Sequence, residues 1–121
     1  MTKILVVDDS EIMRKELNAT LSQANYKVIE AADGLDGLEK LKENPDTELI
    51  IVDINMPLLN GMEMCAEIRR TNKSVKIFVV SLESSSELKA KGKAIGVMAW
   101  INKPVHPDKL LLAVKKALQS A

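Results

Sequence analysis

The sequence predicts an α/β domain built on a parallel β-sheet with helices on both faces. Ile4-Leu5-Val6-Val7 and Leu49-Ile50-Ile51-Val52 are unbroken aliphatic runs, as expected of strands buried on both sides. Strand-like and helix-like segments alternate five times along 121 residues, and parallel strands need a crossover between them, usually a helix. Both aliphatic runs also end abruptly in acid, Asp8-Asp9 after the first and Asp53 after the second. Open α/β sheets place their ligands at the carboxyl ends of the strands. Three carboxylates are therefore expected to meet at one edge.

Each element has its own signal. The first strand is read over Lys3 to Val7; Ser10 then caps a helix carrying Ile12, Met13, Leu17 and Leu21 at helical spacing. The second strand is Lys27 to Ala31, followed by a short helix, Gly34 to Lys42, with Leu35, Leu38 and Leu41 on one face. Asn44-Pro45-Asp46 is a turn, and Glu48 to Val52 is the third strand. Met56-Pro57 and Asn60-Gly61 bracket a loop before a helix bearing Met64, Cys65 and Ile68. Val75 to Val80, Ser84 to Ile95, Met98 to Asn102 and Pro107 to Gln119 supply the remaining strands and helices. Gly96 stands where a helix end needs a left-handed residue, and Pro107 suits a first helical position.

The length predicts one domain, residues 1–121, with one core and no output domain. Tyr26, Phe78 and Trp100 are the only aromatic residues, so the core must be aliphatic, and the six methionines are expected to fill it. Cys65 stands alone, which excludes an internal disulfide and a cysteine metal site and points to a buried thiol. Neither a signal-peptide core nor a membrane-length apolar stretch is present, so the expected location is cytoplasmic, with no membrane or nucleic-acid partner. The net charge is zero but uneven. From Ser84 onward seven lysines face only Glu87 and Asp108, a net of +5, which leaves −5 on the rest. A metal site in the acidic part and an acidic partner for the lysine-rich part are expected.

Crowded carboxylates repel one another unless a cation sits among them or one stays protonated. Mg²⁺ suits this edge: a hard cation that takes one or two carboxylates, several waters and a substrate phosphate. Lys103-Pro104 follows the fifth strand and brings an ammonium to the same rim, to pair with Asp53 or to grip an anion beside it. Ser81, ending the fourth strand, adds a hydroxyl. Together these groups are equipment for phosphoryl transfer onto a carboxylate, where catalysis is mostly positioning and charge neutralisation. His106, the only histidine, lies in the turn before the last helix and has no partner that would give it a chemical role.

Asp8-Asp9, the stretch Asp53-Ile54-Asn55-Met56-Pro57-Leu58-Leu59-Asn60-Gly61, Ser81 and Lys103-Pro104 closely resemble the response-regulator receiver domains, in particular their single-domain chemotaxis (CheY-like) type. The resemblance covers the whole chain. It implies a flavodoxin-like (βα)5 three-layer sandwich with strand order 2-1-3-4-5. It also implies that Asp53 accepts a phosphoryl group from a histidine kinase or phosphotransfer protein. By the same resemblance Asp9, Asp53 and the Asn55 backbone carbonyl ligate Mg²⁺, Asp8 holds a metal-bound water, and Ser81 and Lys103 bind phosphoryl oxygens. Trp100 takes the place of the switch aromatic, and the Lys103-Pro104 bond is expected to be cis. The signal would leave by docking on the face made by the fourth helix, fifth strand and fifth helix, in chemotaxis or motility.

Three positions depart from the family pattern. Ser81 replaces the commoner Thr, Trp100 replaces Tyr or Phe, and Leu82 replaces a small residue and would partly roof the phosphoryl site. Asn55, Leu82 and Glu83 are accordingly expected to govern access to it. Two other readings stand beside this one. A degenerate receiver would dock without phosphorylation, and a haloacid-dehalogenase-like phosphatase would need Asp-x-Asp where the chain has Asp8-Asp9-Ser10.

Overall fold

Residues 1–54, 60–72, 74–83 and 85–119 are described by the computed structural model of the chain. Ten elements alternate: β1 (Lys3–Val7), α1 (Glu11–Gln23), β2 (Lys27–Ala31), α2 (Gly34–Glu43), β3 (Leu49–Asp53), α3 (Gly61–Thr71), β4 (Lys76–Ser81), α4 (Ser86–Ile95), β5 (Val97–Asn102) and α5 (Pro107–Gln119). The strands form one parallel sheet in the order β2-β1-β3-β4-β5. This is the flavodoxin-like arrangement.

Successive strand residues point to opposite faces, and the central strands feed two cores. Leu5, Val7, Ile50, Val52, Ile77 and Val79 pack with Leu41, Met64, Cys65 and Ile68 from α2 and α3. Their neighbours Ile4, Val6, Leu49, Ile51, Phe78 and Val80 pack with Leu17 and Leu21 of α1 and Leu110, Val114 and Ala117 of α5. The aliphatic runs of β1 and β3 therefore have no polar face, and the acids that end them, Asp8 and Asp53, fall at the sheet's carboxyl edge. Cys65 lies in the first of these cores, where burial pushes its thiol up to about 12.

Helix starts follow local chemistry. Ser10, Asp33, Asn60 and Ser85 each accept a backbone N–H from three residues on, at Met13, Asp36, Glu63 and Leu88, each such cap contributing about 1 kcal/mol. Ser85 is the cap, so α4 begins at Ser86 and not at Ser84, which lies outside the described residues. Gly96 closes α4 with φ of 95°. β3 runs one residue later than the sequence suggested, which makes Asp53 the last strand residue, paired with Val80.

Four apolar positions differ from expectation. Ile12 is exposed, because α1 turns Leu17 and Leu21 inward. Leu35 is also exposed: α2 presents Gly34, Gly37 and Leu41 to the protein, and a Cβ on Gly37 would lie 2.7 Å from Met64 Cε. The other two leucines of the expected face do pack, Leu41 within the core and Leu38 against it. The methionines do not all fill the core: Met64 is fully buried, but Met1 and Met98 are exposed, Met98 lying on the edge strand β5. No described helix is long and apolar enough to cross a membrane.

Candidate functional site

Asp8 follows β1 directly and stays tied to the sheet, its N–H donating to the Ala31 carbonyl at 3.1 Å. Its Oδ1 accepts the Ser10 N–H at 2.9 Å. Asp53 ends β3 and is 5% exposed. Behind it, α3 starts hard against the strand exit: the Gly61 N–H donates to the Ile54 carbonyl, and a Cβ on Gly61 would fall 2.6 Å from the Asp53 carbonyl oxygen. Only glycine fits that approach.

Carboxylate oxygens of Asp8, Asp9 and Asp53 lie within 4.8 Å of one another. Lys103, delivered by β5, donates to Asp53 Oδ2 at 3.0 Å and stands 3.9 Å from Asp8 Oδ2. Its own N–H donates to the Ser81 carbonyl, and the Lys103-Pro104 peptide bond is cis. One ammonium thus reaches two members, Asp53 and Asp8, of a cluster of three carboxylates. Asp8 Oδ2 is buried without a hydrogen-bond partner among the described residues. Burial raises the Asp8 carboxyl above its usual range; the Ser10 N–H and Lys103 work against the rise, and the charges of Asp53 and Asp9 add to it. An orphaned carboxylate oxygen is costly. An all-oxygen donor set with surplus negative charge fits a hard divalent cation of the Mg²⁺ class.

Ser81 and Trp100 meet through one residue. The Glu83 N–H donates to Ser81 Oγ at 2.8 Å, while the Glu83 carbonyl accepts the Trp100 indole N–H, also at 2.8 Å. The indole is half-buried, and its seat is a glycine: a Cβ on Gly92 of α4 would lie 3.2 Å from Trp100 Cζ3. Leu82 is 77% exposed and Glu83 is exposed. Asn55 lies outside the described residues, as does the rest of the Met56-Pro57 loop through residue 59. His106 is exposed, its carbonyl accepting the Leu110 N–H at the start of α5.

Sequence reading missed a second layer. Arg14 Nη1 donates to the Asp8 carbonyl at 2.7 Å, and its Nε donates to Glu30 Oε1 at 3.0 Å. Glu30 Oε2 also accepts Lys15 Nζ and Asn18 Nδ2. Burial would raise the Glu30 carboxyl, but these three donors outweigh it and hold it below the usual range. A signal was available: Glu30 is the one acid inside β2, opposite Val6 of β1.

Comparison with known proteins agrees with this edge. The chain is 38% identical over 111 residues to chemotaxis protein CheY1 of Helicobacter pylori, covering 89% of this chain and 90% of that one. It is 34% identical over 120 residues to protein PilG of Pseudomonas aeruginosa, covering 98% and 88%. The CheX-CheY-BeF3-Mg complex from Borrelia burgdorferi contains a chain that superposes with a TM-score of 0.92 at 26% identity, covering 97% of this chain and 89% of that chain. The family description "response regulator receiver domain" matches residues 4–115. With so little of the sequence outside that match, the chain belongs to the response regulator receiver family, the signalling phosphoacceptors of two-component systems.

Proposed function

We propose that Asp53 accepts a phosphoryl group from a phosphohistidine of a histidine kinase or phosphotransfer protein, and that the altered surface is read by a docking partner in chemotaxis or motility. The observation that carries this reading is the pairing of the 5% exposed Asp53 with Lys103 beside an orphaned Asp8 oxygen. In the transfer a carboxylate oxygen of Asp53 attacks phosphorus. The new P–O bond forms as the P–N bond breaks, and the histidine nitrogen leaves with its electron pair. Negative charge accumulates where Asp8, Asp9 and Asp53 already crowd, so cations must neutralise it.

Mg²⁺ would be held by Asp9, Asp53 and the Asn55 carbonyl, with Asp8 on a bound water, and would supply charge neutralisation at the phosphoryl oxygens. Lys103 exchanges its bond to Asp53 for one to a phosphoryl oxygen. Ser81 Oγ binds another, and in doing so it changes its relation to the Glu83 N–H it now accepts. Through the Glu83 carbonyl that change reaches Trp100. By the family resemblance, Asn55, Leu82 and Glu83 would set access for donor and water; of these Leu82 and Glu83 are exposed at the exit of β4. A gap of a few kcal/mol suffices for such a switch, since each ~1.4 kcal/mol shifts the ratio tenfold.

The docking face is α4, β5 and α5. Lys89, Lys91, Lys93, Lys109, Lys115 and Lys116 are exposed there, as are Met98 and Leu112. That chemistry suits an acidic partner segment with apolar anchors. The relatives named above support the chemotaxis context. Acetyl phosphate with Mg²⁺, followed by intact mass, tests the central claim: wild type should gain one phosphoryl group and Asp53→Asn none. An equal adduct on the variant would remove Asp53 from the role.

A further inference from the structure

Asp9 poses a problem of aim. Its carboxylate is exposed, belongs to the three-carboxylate cluster, and has no hydrogen-bond or ion-pair partner among the described residues. Without a partner, the carboxylate's aim is set by the Cα–Cβ direction and the χ1 rotamers open to it. The part the fold can fix is the Cα–Cβ direction, and that depends on the peptide unit joining Asp8 to Asp9.

Three bonds fix that unit. The Asp8 N–H is held by the Ala31 carbonyl, Asp8 Oδ1 by the Ser10 N–H, and the Asp8 carbonyl, which lies in the peptide plane itself, by Arg14 Nη1 at 2.7 Å. The first two hold Asp8. Only the third acts on the plane that launches Asp9. Arg14 is in turn held by Glu30 across Nε, with both side chains largely buried, at 15% and 19% exposure. Lys15 and Asn18 grip the other oxygen of Glu30, so the guanidinium works from a fixed base on β2. Its planar fork can serve a carboxylate with one nitrogen and a carbonyl with another, which a lysine cannot do.

We propose that Arg14, anchored by Glu30, is a positioning residue for the divalent-cation site, fixing the Asp8–Asp9 peptide so that the Asp9 carboxylate faces Asp8 and Asp53. The inference rests on the metal-site reading above. Groups that orient metal ligands typically cost 10–100-fold in affinity when lost.

The sign of the effect discriminates. Removing a cation close to an acidic cluster strengthens divalent-cation binding if charge alone matters. It weakens binding if Arg14 positions Asp9. It leaves binding unchanged, with only a lower melting temperature, if Arg14 merely staples α1 to β2.

Mg²⁺ titration calorimetry on the unphosphorylated protein, well below each variant's melting temperature, reads this directly. Arg14→Ala should weaken Mg²⁺ binding about tenfold or more. Arg14→Lys, which keeps the charge but loses the fork, should weaken it nearly as much. Glu30→Gln should give an intermediate loss, and Lys15→Ala, which removes a cation from the same carboxylate without touching Asp8, should bind as wild type. If Arg14→Ala fails to fold, Arg14→Lys and Glu30→Gln carry the test. Wild-type or tighter Mg²⁺ binding in the folded Arg14 and Glu30 variants overturns the proposal. Absence of saturable binding in wild type overturns the metal-site reading itself and is seen before any variant is made.

Discussion

Lys103 holds Asp53: its ammonium donates to Asp53 Oδ2 at 3.0 Å, although the two residues are 50 apart in sequence. The bond joins the exit of β3 to the exit of β5 and leaves the same nitrogen 3.9 Å from Asp8 Oδ2. If this cation neutralises the charge that builds up during transfer, Lys103→Ala should slow phosphorylation by acetyl phosphate about a hundredfold, as loss of one preorganised charge-stabilising donor does elsewhere. Stopped-time intact-mass measurements read the rate. A rate within a few fold of wild type would assign Lys103 a packing role.

Mg²⁺ should stabilise the fold through the acidic cluster. Ligand linkage gives about 2.7 kcal/mol when the ion is at a hundred times its dissociation constant. The gain should vanish in Asp9→Ala and persist in Asp46→Ala, whose carboxylate pairs with Lys3 away from the site. Melting curves with Mg²⁺ and with a chelator decide it.

Asp8 should make stability fall as pH rises. Its folded carboxyl is raised from 3.8, chiefly by burial, so the folded state binds more protons than the unfolded one between the two values. Stability from this group is lost as pH climbs through that window and does not return at neutrality. Asp8→Asn, which keeps an acceptor for the Ser10 N–H, should therefore melt higher than wild type at neutral pH without metal. That advantage should shrink as pH drops below the ordinary carboxylate range. A constant difference across pH would separate the effect from titration.

Two glycines should respond differently to alanine. At Gly61 the new Cβ would meet backbone, 2.5 Å from Ile54 Cα, and overpacking of this kind costs about 1–3 kcal/mol. At Gly37 the closest atom is the flexible end of Met64, which can move, and a helical Gly→Ala exchange returns about 1 kcal/mol. Denaturant melts should show a clear loss for Gly61→Ala and near neutrality for Gly37→Ala.

Trp100 should report the switch. If Ser81 shifts on phosphorylation, the Glu83 bridge transmits the change, and indole emission should alter in wild type with acetyl phosphate and Mg²⁺ but not in Asp53→Asn. Gly92→Ala, which crowds Cζ3, should move the emission without any phosphodonor. Constant emission in fully phosphorylated wild type would make Trp100 a fixed packing residue.

Residues whose position follows from strand exits were readable in the sequence. Two aliphatic runs ending in acid suffice to bring Asp8, Asp9 and Asp53 to one edge, and the strand-helix rhythm fixes the fold class. Interactions that depend on rotation about a helix axis were not readable. Ile12 and Leu35 look like core residues by spacing, yet α1 and α2 turn other residues inward. The Arg14 contact with the Asp8 carbonyl also depends on where one face of α1 lands. The Trp100 seat depends on an absence of side chain at Gly92, eight residues earlier, which no periodicity announces.

The position of Cys65 has a practical consequence. A thiol reacts through its thiolate, and one enclosed by the core and held up at about 12 stays inert to maleimides at neutral pH. The native chain is therefore already blank for sulfur labelling. A cysteine introduced at exposed Lys89 on α4 would be the single reactive thiol, so a fluorophore or spin label could be placed on the lysine-rich face without first engineering the native cysteine away.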